Sequence, residues 1–476
     1  MAGADEHEQF DVVAIGAGTV SEALAVGLKG SGISLAVVER ELVGGECPYW
    51  GCIPSKLLLR SADVLAEARR ARSLSASRVE WEVDYDRVAR RTYEGARDVD
   101  DAPAARALME NGASLIRGEG HLVGPRTVRV GNLELTARRG VVIATGTAPA
   151  VPPIPGLDTV PYWTNREVVL TRALPRSMIV LGSGPIGAEM AQAFARFGTE
   201  VRVIEALDRL MPAEDPAAGA ALAVAFEEDG IAVHTSAAAV SVAQAGDGIA
   251  VRVETGEEFT AQRLLVAVGR RPKLMGFDLA AAGVSTTDRG WIKVDERTLE
   301  AAPGIWAGGD ITGIGAFTHL SWYHGLVIAR RIRGEDAVAD HRAIPHVTFT
   351  DPEVASVGLS EAQARAQLAD ARVASANLAD TTRGWINGPP GGILKLVADG
   401  ERGVLVGALI VGPRAGEIIA ELTLAIRAEV PLRVLIDTLH AFPTFSRELD
   451  GLFPQLTKGD KVPPRTPPAA ESASAR

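Results

Sequence analysis

The sequence predicts an α/β protein that contains two βαβ units and ends in a segment of mixed α and β structure. Each βαβ unit shows a short apolar run, a glycine-rich turn and a helical pattern in that order. After residue 344, strand and helix patterns mix, with strands expected at 391–396 and 404–411. Because 476 residues are too many for a single hydrophobic core, we expect several domains.

The first unit lies near the start of the chain. Apolar runs over residues 10–15 and 34–38 predict buried parallel strands, and a helical pattern covers residues 22–29 between them. The second strand ends at Glu39, where the fingerprint of a dinucleotide site has an acid that binds a ribose hydroxyl. The pattern therefore predicts a dinucleotide site, with a βαβ unit that binds nothing as the alternative.

The turn of the first unit reads Gly16-Ala17-Gly18-Thr19-Val20-Ser21. Gly16 allows the tight turn, and Gly18 lets a pyrophosphate approach the backbone at a helix N-terminus. Ser21 occupies the position of the third fingerprint glycine, so the match is incomplete.

The second unit carries the complete fingerprint, with Gly182, Gly184 and Gly187 at its three glycine positions. Strands are predicted at 177–181 and 200–204, with a helix over 186–197 between them. Two fingerprints predict two dinucleotide sites and hence a redox relay between two carriers.

Glu205 ends the second strand of this unit and favours a free 2′-hydroxyl, and therefore NAD over NADP. Arg202 and Arg209 lie close in sequence and offer positive charge for a 2′-phosphate, which leaves NADP as the alternative.

The only two cysteines of the chain, Cys47 and Cys52, are five positions apart. In a regular helix their Cα atoms would be about 8 Å apart, whereas a disulfide requires about 4.4–6.8 Å. A disulfide would therefore need a distorted turn, for which Pro48, Gly51 and Pro54 supply breaks. The alternative is a pair of reduced, buried thiols.

Composition limits the partners. The formal net charge of −11 disfavours nucleic acid and acidic membrane surfaces, and no apolar run approaches the roughly 20 residues that span a bilayer. The polar start shows no signal-peptide pattern, so we expect a cytoplasmic protein. Residues 458–476 are rich in Pro, Ala and Ser and are predicted to be disordered. No metal site is predicted.

Together these motifs resemble the pyridine nucleotide–disulfide oxidoreductases, especially dihydrolipoyl dehydrogenase and its glutathione and mercuric reductase relatives. The resemblance runs from Phe10 to about Phe453. Besides the two turns, the segments that carry it are 44–56, 141–146, 266–272, 304–310 and 350–358.

This resemblance implies two Rossmann-like domains and an α+β dimerisation domain that forms a homodimer. The FAD domain would comprise residues 1–150 and 268–340, the NAD(P) domain 151–267 and the interface domain 341–457.

The resemblance also implies the chemistry. NADH would reduce FAD, which would reduce a Cys47–Cys52 disulfide, with Cys52 nearer the flavin and Cys47 exchanging with substrate. Lys56 and Glu189 match the pair near flavin N5. The residues implied for FAD are Gly16, Gly18, Glu39, Thr145, Gly146 and Asp310, and those for NAD are Gly182, Gly184, Gly187, Glu205 and Gly269.

The chain departs from the family in its interface motif. Phe442 stands where the family has its acid–base histidine, and Arg447 stands where it has the orienting glutamate. Loss of such a base costs about 10²–10⁴-fold in that step. His440 and Glu448 lie nearby as candidate substitutes.

A second departure lies between the cysteines, where the family has smaller residues than Tyr49 and Trp50. These rings would reshape the thiol pocket or stack a flat substrate, with simple packing as the alternative.

The leading hypothesis is a homodimeric, FAD-dependent NAD(P)H oxidoreductase that reduces a disulfide, a quinone or a related acceptor. One alternative is an ordinary dihydrolipoyl dehydrogenase with His440 as substitute base. Another is a non-catalytic redox sensor that binds flavin and NAD. Full mercuric reductase function is disfavoured, because the chain has no additional cysteines near its C-terminus.

Overall fold

The computed structural model describes residues 6–274, 276–388 and 391–457. The chain divides into two compact units, Met1–Pro352 and Glu353–Arg476. The tail predicted to be disordered, 458–476, lies outside the described residues. Among the helices of the described ranges, none combines the length and apolarity needed to cross a membrane.

The first unit contains a mainly parallel eight-stranded sheet. Six strands follow in the order Glu300–Ala302, Ile305–Ala307, Leu133–Ile143, Glu6–Ile15, Leu35–Glu39 and Ala113–Arg117, and the hairpin Gly120–Gly124 and Thr127–Val130 joins Leu133–Ile143. Val12, Val13 and Ala14 are fully buried, as expected for a strand covered on both faces. The strands predicted at 10–15 and 34–38 are confirmed, and the first begins earlier, at Glu6.

A second parallel sheet in the same unit carries the second glycine turn. Its strands follow in the order Ala232–His234, Glu200–Ile204, Ser177–Leu181 and Arg263–Val266. Both predicted strands of this βαβ unit are confirmed. The unit also contains the antiparallel sheet Ala239–Ala245, Gly248–Val253 and Glu258–Ala261, the pair Thr147–Pro149 and Arg270–Pro272, and the strand Pro345–Thr348.

Both glycine turns lead directly into helices, which begin at Thr19 and at Pro185. The α-helices of the unit are Thr19–Leu28, Glu46–Trp50, Cys52–Leu74, Tyr85–Gly95, Ala102–Glu110, Asn165–Leu170, Pro185–Phe197, Pro216–Glu228 and Thr318–Ile332. Short 3₁₀ turns lie at Arg97–Val99, Leu157–Thr159 and Gly309–Thr312.

The second unit is an antiparallel sheet with helices. Its strands follow in the order Glu353–Gly358, Val404–Gly412, Ile393–Asp399 and Ala371–Asn377. Its α-helices are Glu361–Gln367, Thr382–Asn387, Ala415–Arg427, Leu432–Ile436 and Leu449–Leu452, with 3₁₀ turns at Leu378–Asp380, Phe445–Glu448 and Phe453–Leu456. The α+β prediction for this part is confirmed, and the strand expected from residue 391 begins at Ile393.

Candidate active site

Cys47 and Cys52 lie on opposite sides of a helix break. Cys47 belongs to the short helix Glu46–Trp50, and Cys52 opens the long helix Cys52–Leu74, which we call the dithiol helix. Gly51 separates the two helices, and a Cβ atom there would lie 3.2 Å from the Cα atom of Cys47. Gly51 lies at the break, and Pro54 stands in the first turn of the dithiol helix, where a residue without an N–H cannot continue a helix from Trp50. Pro48 lies inside the short helix Glu46–Trp50 and marks no break there, unlike the prediction.

The two thiols differ in their affinity for a proton. The hydrogen bond from Cys47 lowers the pKa of Cys52 to about 6 against the effect of burial, and Thr318 and the charge of Lys56 act in the same direction. The same hydrogen bond, burial and the charge of Cys52 raise the pKa of Cys47. The reduced pair therefore holds one proton near neutral pH, with Cys52 as thiolate and Cys47 as thiol.

Lys56 follows Cys52 by one turn of the dithiol helix and pairs with Glu189. Its Nζ atom lies 3.0 and 2.8 Å from the two carboxylate oxygens, and the Glu189 side chain is only 4% exposed. The backbone N–H of Phe349 donates to Glu189 Oε1 at 2.9 Å, and Lys56 Nζ lies 4.8 Å from the Phe349 ring centroid. The sequence interpretation missed Phe349, because a backbone amide carries no residue-type signal.

The first glycine turn closes around the two strand ends. Gly16 has φ +98°, and a Cβ atom there would lie 2.4 Å from the carbonyl oxygen of Ala144. Glu39 Oε2 accepts a hydrogen bond from the backbone N–H of Ala17 at 2.7 Å. Ser21 is tolerated in place of the third glycine because its hydroxyl donates to the Gly16 carbonyl at 2.5 Å.

The second turn uses its third glycine differently. A Cβ atom at Gly187 would lie 2.0 Å from the Gly182 carbonyl oxygen, so no side chain fits. Glu205 is buried, and its Oε2 atom accepts hydrogen bonds from the backbone N–H and the hydroxyl of Ser183 at 2.9 and 2.7 Å. Gly184 caps the helix Pro185–Phe197, which also carries Glu189. One helix therefore joins the second turn to the Lys56 pair.

Asp310 ends a chain of polar contacts that begins beside Cys47. Glu46 accepts from Arg270 Nη2 at 2.6 Å, Arg270 Nε donates to Thr147 Oγ1 at 2.6 Å, and Thr147 Oγ1 donates to Asp310 Oδ2 at 2.9 Å. Burial raises the pKa of Asp310. Glu46, Thr147 and Arg270 were not predicted, although each adjoins or lies within a motif segment.

Thr145 provides a test of whether a ligand fits at this site. Its hydroxyl is buried and has no hydrogen-bond partner among the described residues. The next residue, Gly146, has φ +63°, and a Cβ atom there would meet no atom within 4 Å. An unsatisfied polar atom beside open space fits a polar ligand, because a buried hydroxyl without a partner is costly.

Comparison with known sequences assigns the family. A sequence profile described as pyridine nucleotide-disulphide oxidoreductase matches residues 10–325, and the profile of the dimerisation domain of that family matches residues 344–452. The chain belongs to the pyridine nucleotide-disulphide oxidoreductase family. Members of this family bind FAD and use NAD(P)H.

Individual relatives and a solved structure support the same family assignment. Mercuric reductase of Acidithiobacillus ferrooxidans is 34% identical over 460 residues, covering 92% of this chain and 81% of the relative. Dihydrolipoyl dehydrogenase of Thermus scotoductus is 33% identical over 450 residues, which cover 92% of this chain and 96% of the relative. The HOCl-induced flavoprotein disulfide reductase RclA of Escherichia coli has a solved structure that superposes with a TM-score of 0.82 at 28% identity, covering 94% of this chain and 99% of RclA.

His440, unlike the other predicted catalytic residues, lies in the second unit. Its Nε2 atom lies 2.9 Å from Glu421 Oε1, and its Nδ1 atom contacts Asp450 Oδ1. Burial opposes charge on the ring, but the hydrogen bonds to Glu421 and Asp450 outweigh it and raise the pKa of His440. Both ring nitrogens are therefore occupied, which disfavours the prediction that His440 serves as substitute base. Phe442 is 71% exposed.

The aromatic residues between the cysteines are engaged within the protein. Tyr49 is fully buried, and its hydroxyl donates to the Val43 carbonyl at 2.7 Å. The Arg166 guanidinium lies 4.0 Å from the Trp50 ring centroid. Tyr49 is therefore part of the packing and offers no ring face to a substrate, whereas Trp50 has one face occupied by a cation.

Replacing Thr318 with valine is expected to raise the pKa of Cys52. The Thr318 hydroxyl lies 3.3 Å from Cys52 Sγ, and loss of one hydrogen bond to a charged group corresponds to roughly one pKa unit. The ultraviolet absorbance of the thiolate in dithiol-reduced protein should therefore appear at higher pH than in the parent. Thr92→Val removes another buried hydroxyl, remote from Cys52 in sequence, and should leave the midpoint of the Cys52 titration near pH 6. An unchanged midpoint in T318V would exclude this role of Thr318.

Proposed function

We propose that this protein is an NAD(P)H-dependent flavoprotein reductase that passes electrons through a Cys47–Cys52 disulfide. The observation that carries the proposal is geometric: Cys47 and Cys52 flank the helix break at Gly51, and Lys56, one turn after Cys52, is paired with the buried Glu189 at 2.8 and 3.0 Å. When bound, FAD supplies the two-electron exchange between nicotinamide and dithiol. An electron pair and one proton then convert the disulfide into the Cys52 thiolate and the Cys47 thiol, and Cys47 exchanges with the acceptor.

The proposed binding residues are those of the two turns and the segments around them. For FAD they are Gly16, Gly18, Glu39, Thr145, Gly146 and Asp310, and for the nicotinamide nucleotide Gly182, Gly184, Gly187, Glu205 and Gly269. Two observations support these assignments: the Thr145 hydroxyl has no partner among the described residues, and a Cβ atom at Gly16, Gly182 or Gly187 would clash with a backbone carbonyl oxygen.

We further propose that NADH is the preferred reductant. Glu205 presents a carboxylate at the strand end and is held there by Ser183 and by the backbone N–H of Leu207 at 2.9 Å. The Arg202 guanidinium lies 4.8 Å from the Phe259 ring centroid, and Arg209 Nη2 donates to the Pro212 carbonyl at 2.9 Å, so both cations are engaged within the protein. A comparison of kcat/KM for the two nucleotides should favour NADH by about tenfold or more, which corresponds to ~1.4 kcal/mol. Preference for NADPH would reverse this assignment.

The acceptor we propose is one whose leaving group needs no proton from the enzyme. Phe442 stands where the family base belongs and transfers no proton. A thiol of low pKa leaves without protonation, whereas an aliphatic thiol leaves slowly as its thiolate. We therefore infer that aryl disulfides are reduced in preference to aliphatic disulfides such as lipoamide, and that quinones are accepted too, because they take up two electrons and two protons without releasing a thiol.

Two measurements test this function. Anaerobic titration with NADH should show uptake of one electron pair by the flavin and a second by the dithiol, with a long-wavelength band from the Cys52 thiolate. Steady-state turnover should then be compared for an aryl disulfide, a benzoquinone and lipoamide. We expect lipoamide to be about 10²–10⁴-fold slower than the aryl disulfide, the usual cost of a missing acid–base group. Comparable rates would favour an ordinary dihydrolipoyl dehydrogenase, and absence of flavin reduction would favour the redox sensor.

A homodimer is the proposed assembly, since the chain contains the family dimerisation domain. Leu439 is 95% exposed in the single chain, and Trp385 of the same unit is 80% exposed. Apolar side chains of this kind are typical of surface that a second copy covers. Light scattering of the purified protein should give twice the chain mass. We place its activity in the cytoplasm, where paired cysteines are more often catalytic than structural.

His440→Gln is expected to lower stability and leave lipoamide turnover unchanged. The raised pKa of His440 means that its ion pairs stabilise the fold fully below the ordinary value of 6.5 and are lost as the pH rises through the folded-state value. The melting temperature should therefore fall by roughly a few degrees at pH 6 and by less at pH 9. His7→Gln, at a 62% exposed site, serves as control. Reduced lipoamide turnover with unchanged stability would instead identify His440 as the base.

A further inference from the structure

Two histidines in contact lie behind the turn that carries Asp310. His324 belongs to the helix Thr318–Ile332, and His341 follows in a loop of the same unit. Their Nε2 atoms are 2.9 Å apart. The Nδ1 atom of His324 lies 3.0 Å from the backbone nitrogen of Gly309, which immediately precedes Asp310.

The hydrogen-bond directions in this arrangement follow from one donor. The Gly309 N–H can only donate, so Nδ1 of His324 is the acceptor and its proton sits on Nε2. That Nε2–H donates to Nε2 of His341, which must therefore be unprotonated. The hydrogen bonds therefore run from the Gly309 N–H to His324 and from His324 to His341. Both rings must be neutral, because one nitrogen of each ring accepts a hydrogen bond.

The surroundings maintain this neutral state. His324 is completely buried, and burial followed by the proximity of His341 lowers its pKa to about 3. Burial also lowers the pKa of His341, against the charges of Glu296 and Asp340. The rings of Tyr323 and His341 lie perpendicular to each other with centroids 6.5 Å apart, and the Tyr323 hydroxyl accepts a hydrogen bond from the backbone N–H of Asp340. His341 is the more accessible member and the one that a proton reaches first.

Gly309 cannot readily rearrange to compensate. Its φ is +73°, and a Cβ atom there would lie 2.7 Å from the hydroxyl of Ser321. The residue is buried, so an N–H without an acceptor would be costly. The orientation of this turn, which carries the Asp310 carboxylate, is therefore linked to the proton positions on the two imidazoles.

We propose that His324 and His341 are positioning residues that hold the Gly309–Asp310 turn in its flavin-binding conformation, and that protonation of His341 releases this hold. A proton on Nε2 of His341 would face the proton on Nε2 of His324. Relief requires His324 to move its proton to Nδ1, which removes the acceptor for the Gly309 N–H. Low pH therefore weakens FAD binding through this pair.

The direction of the pH effect follows from the lowered pKa of His341. The ordinary value is 6.5, and the value in the intact pair is lower. The hold on the turn is therefore complete above about 6.5 and is lost as the pH falls towards the value in the pair. This pH effect rests on the proposed role of Asp310 in FAD binding and is independent of the acceptor and of the dithiol.

The test is a measurement of FAD affinity against pH. The dissociation constant of the holoprotein, followed by the fluorescence of released flavin, should rise between pH 7 and pH 5 by roughly three- to tenfold more than in His341→Gln. The glutamine oxygen accepts from His324 Nε2 and takes no proton. His324→Met removes the acceptor and should weaken FAD binding by a similar factor at every pH.

The controls separate this effect from general acid sensitivity. His121→Gln alters a half-buried histidine on the strand Gly120–Gly124 of the same unit and should keep the parent profile. Thermal unfolding at pH 8 identifies any variant that fails to fold, and H341Q alone decides the question if H324M is unstable. A profile in H341Q that matches the parent would overturn the proposal, as would a parent affinity that does not change with pH.

Discussion

Replacing Cys52 with serine is expected to lower turnover with an aryl disulfide by about 10⁴-fold or more, as for removal of an essential nucleophile. Cys52 is the thiolate of the pair, and a serine hydroxyl forms no disulfide with Cys47. Reduction of ferricyanide, which takes electrons directly from flavin, should continue. The C52S variant should also take up one electron pair fewer from NADH than the parent. Retention of disulfide turnover in C52S would contradict a relay through the dithiol.

Paired variants at Cys47 separate its two roles. Both Cys47→Ser and Cys47→Ala should abolish disulfide turnover, because the exchanging thiol is lost. The serine hydroxyl replaces the donor that most strongly lowers the pKa of Cys52, whereas alanine removes it. The long-wavelength band should therefore persist to lower pH in C47S than in C47A. Identical profiles would assign the low pKa of Cys52 to Thr318 and Lys56.

Replacing Arg196 with leucine is expected to destabilise the first unit by about 3–5 kcal/mol, the usual result of breaking a buried ion-pair network. The Arg196 side chain is 3% exposed and contacts three carboxylates at 2.9–3.0 Å, namely Asp63, Asp229 and Asp351. Asp63 lies on the dithiol helix, so the guanidinium links that helix to the one bearing Glu189. Urea unfolding with an intrinsic fluorescence probe measures the change.

The matched control is Arg176→Leu. Arg176 is 80% exposed and contacts Asp247, itself 86% exposed, at 3.3 Å. Exposed ion pairs of this kind contribute about 0–1 kcal/mol, so the control should lie within that range. Similar losses in both variants would show that the buried position of Arg196 adds nothing.

The sequence predicted the local elements of the fold well because their signals are local. Strand, turn and helix around Gly16 and Gly182 follow from apolar runs and glycine positions within about 30 residues. The distorted turn between the cysteines was predicted as well, but its cause was only partly correct. Proline is tolerated in the first turn of a helix but blocks its continuation towards the N-terminus, so Pro54 and Gly51 both fit the break, whereas Pro48 lies inside the preceding helix.

The polar partners of the site were the least predictable part. Phe349 contributes an amide to Glu189, and Thr318 contributes a hydroxyl to Cys52, from positions far along the chain. His440 appeared available in the sequence, but Glu421 and Asp450 occupy both of its nitrogens. A linear pattern states which groups are present and not which of them are already paired.

The sequence by itself determined the family, the two nucleotide-binding turns and the dithiol as the centre of the chemistry, because each depends on residues that are neighbours in the chain. Only the tertiary structure decided which thiol carries the charge, how Ser21 replaces a glycine, and that His324 and His341 are hydrogen-bonded to each other behind Asp310. These properties depend on distances of about 3 Å between side chains that are remote in sequence, where burial and hydrogen bonding set each protonation state.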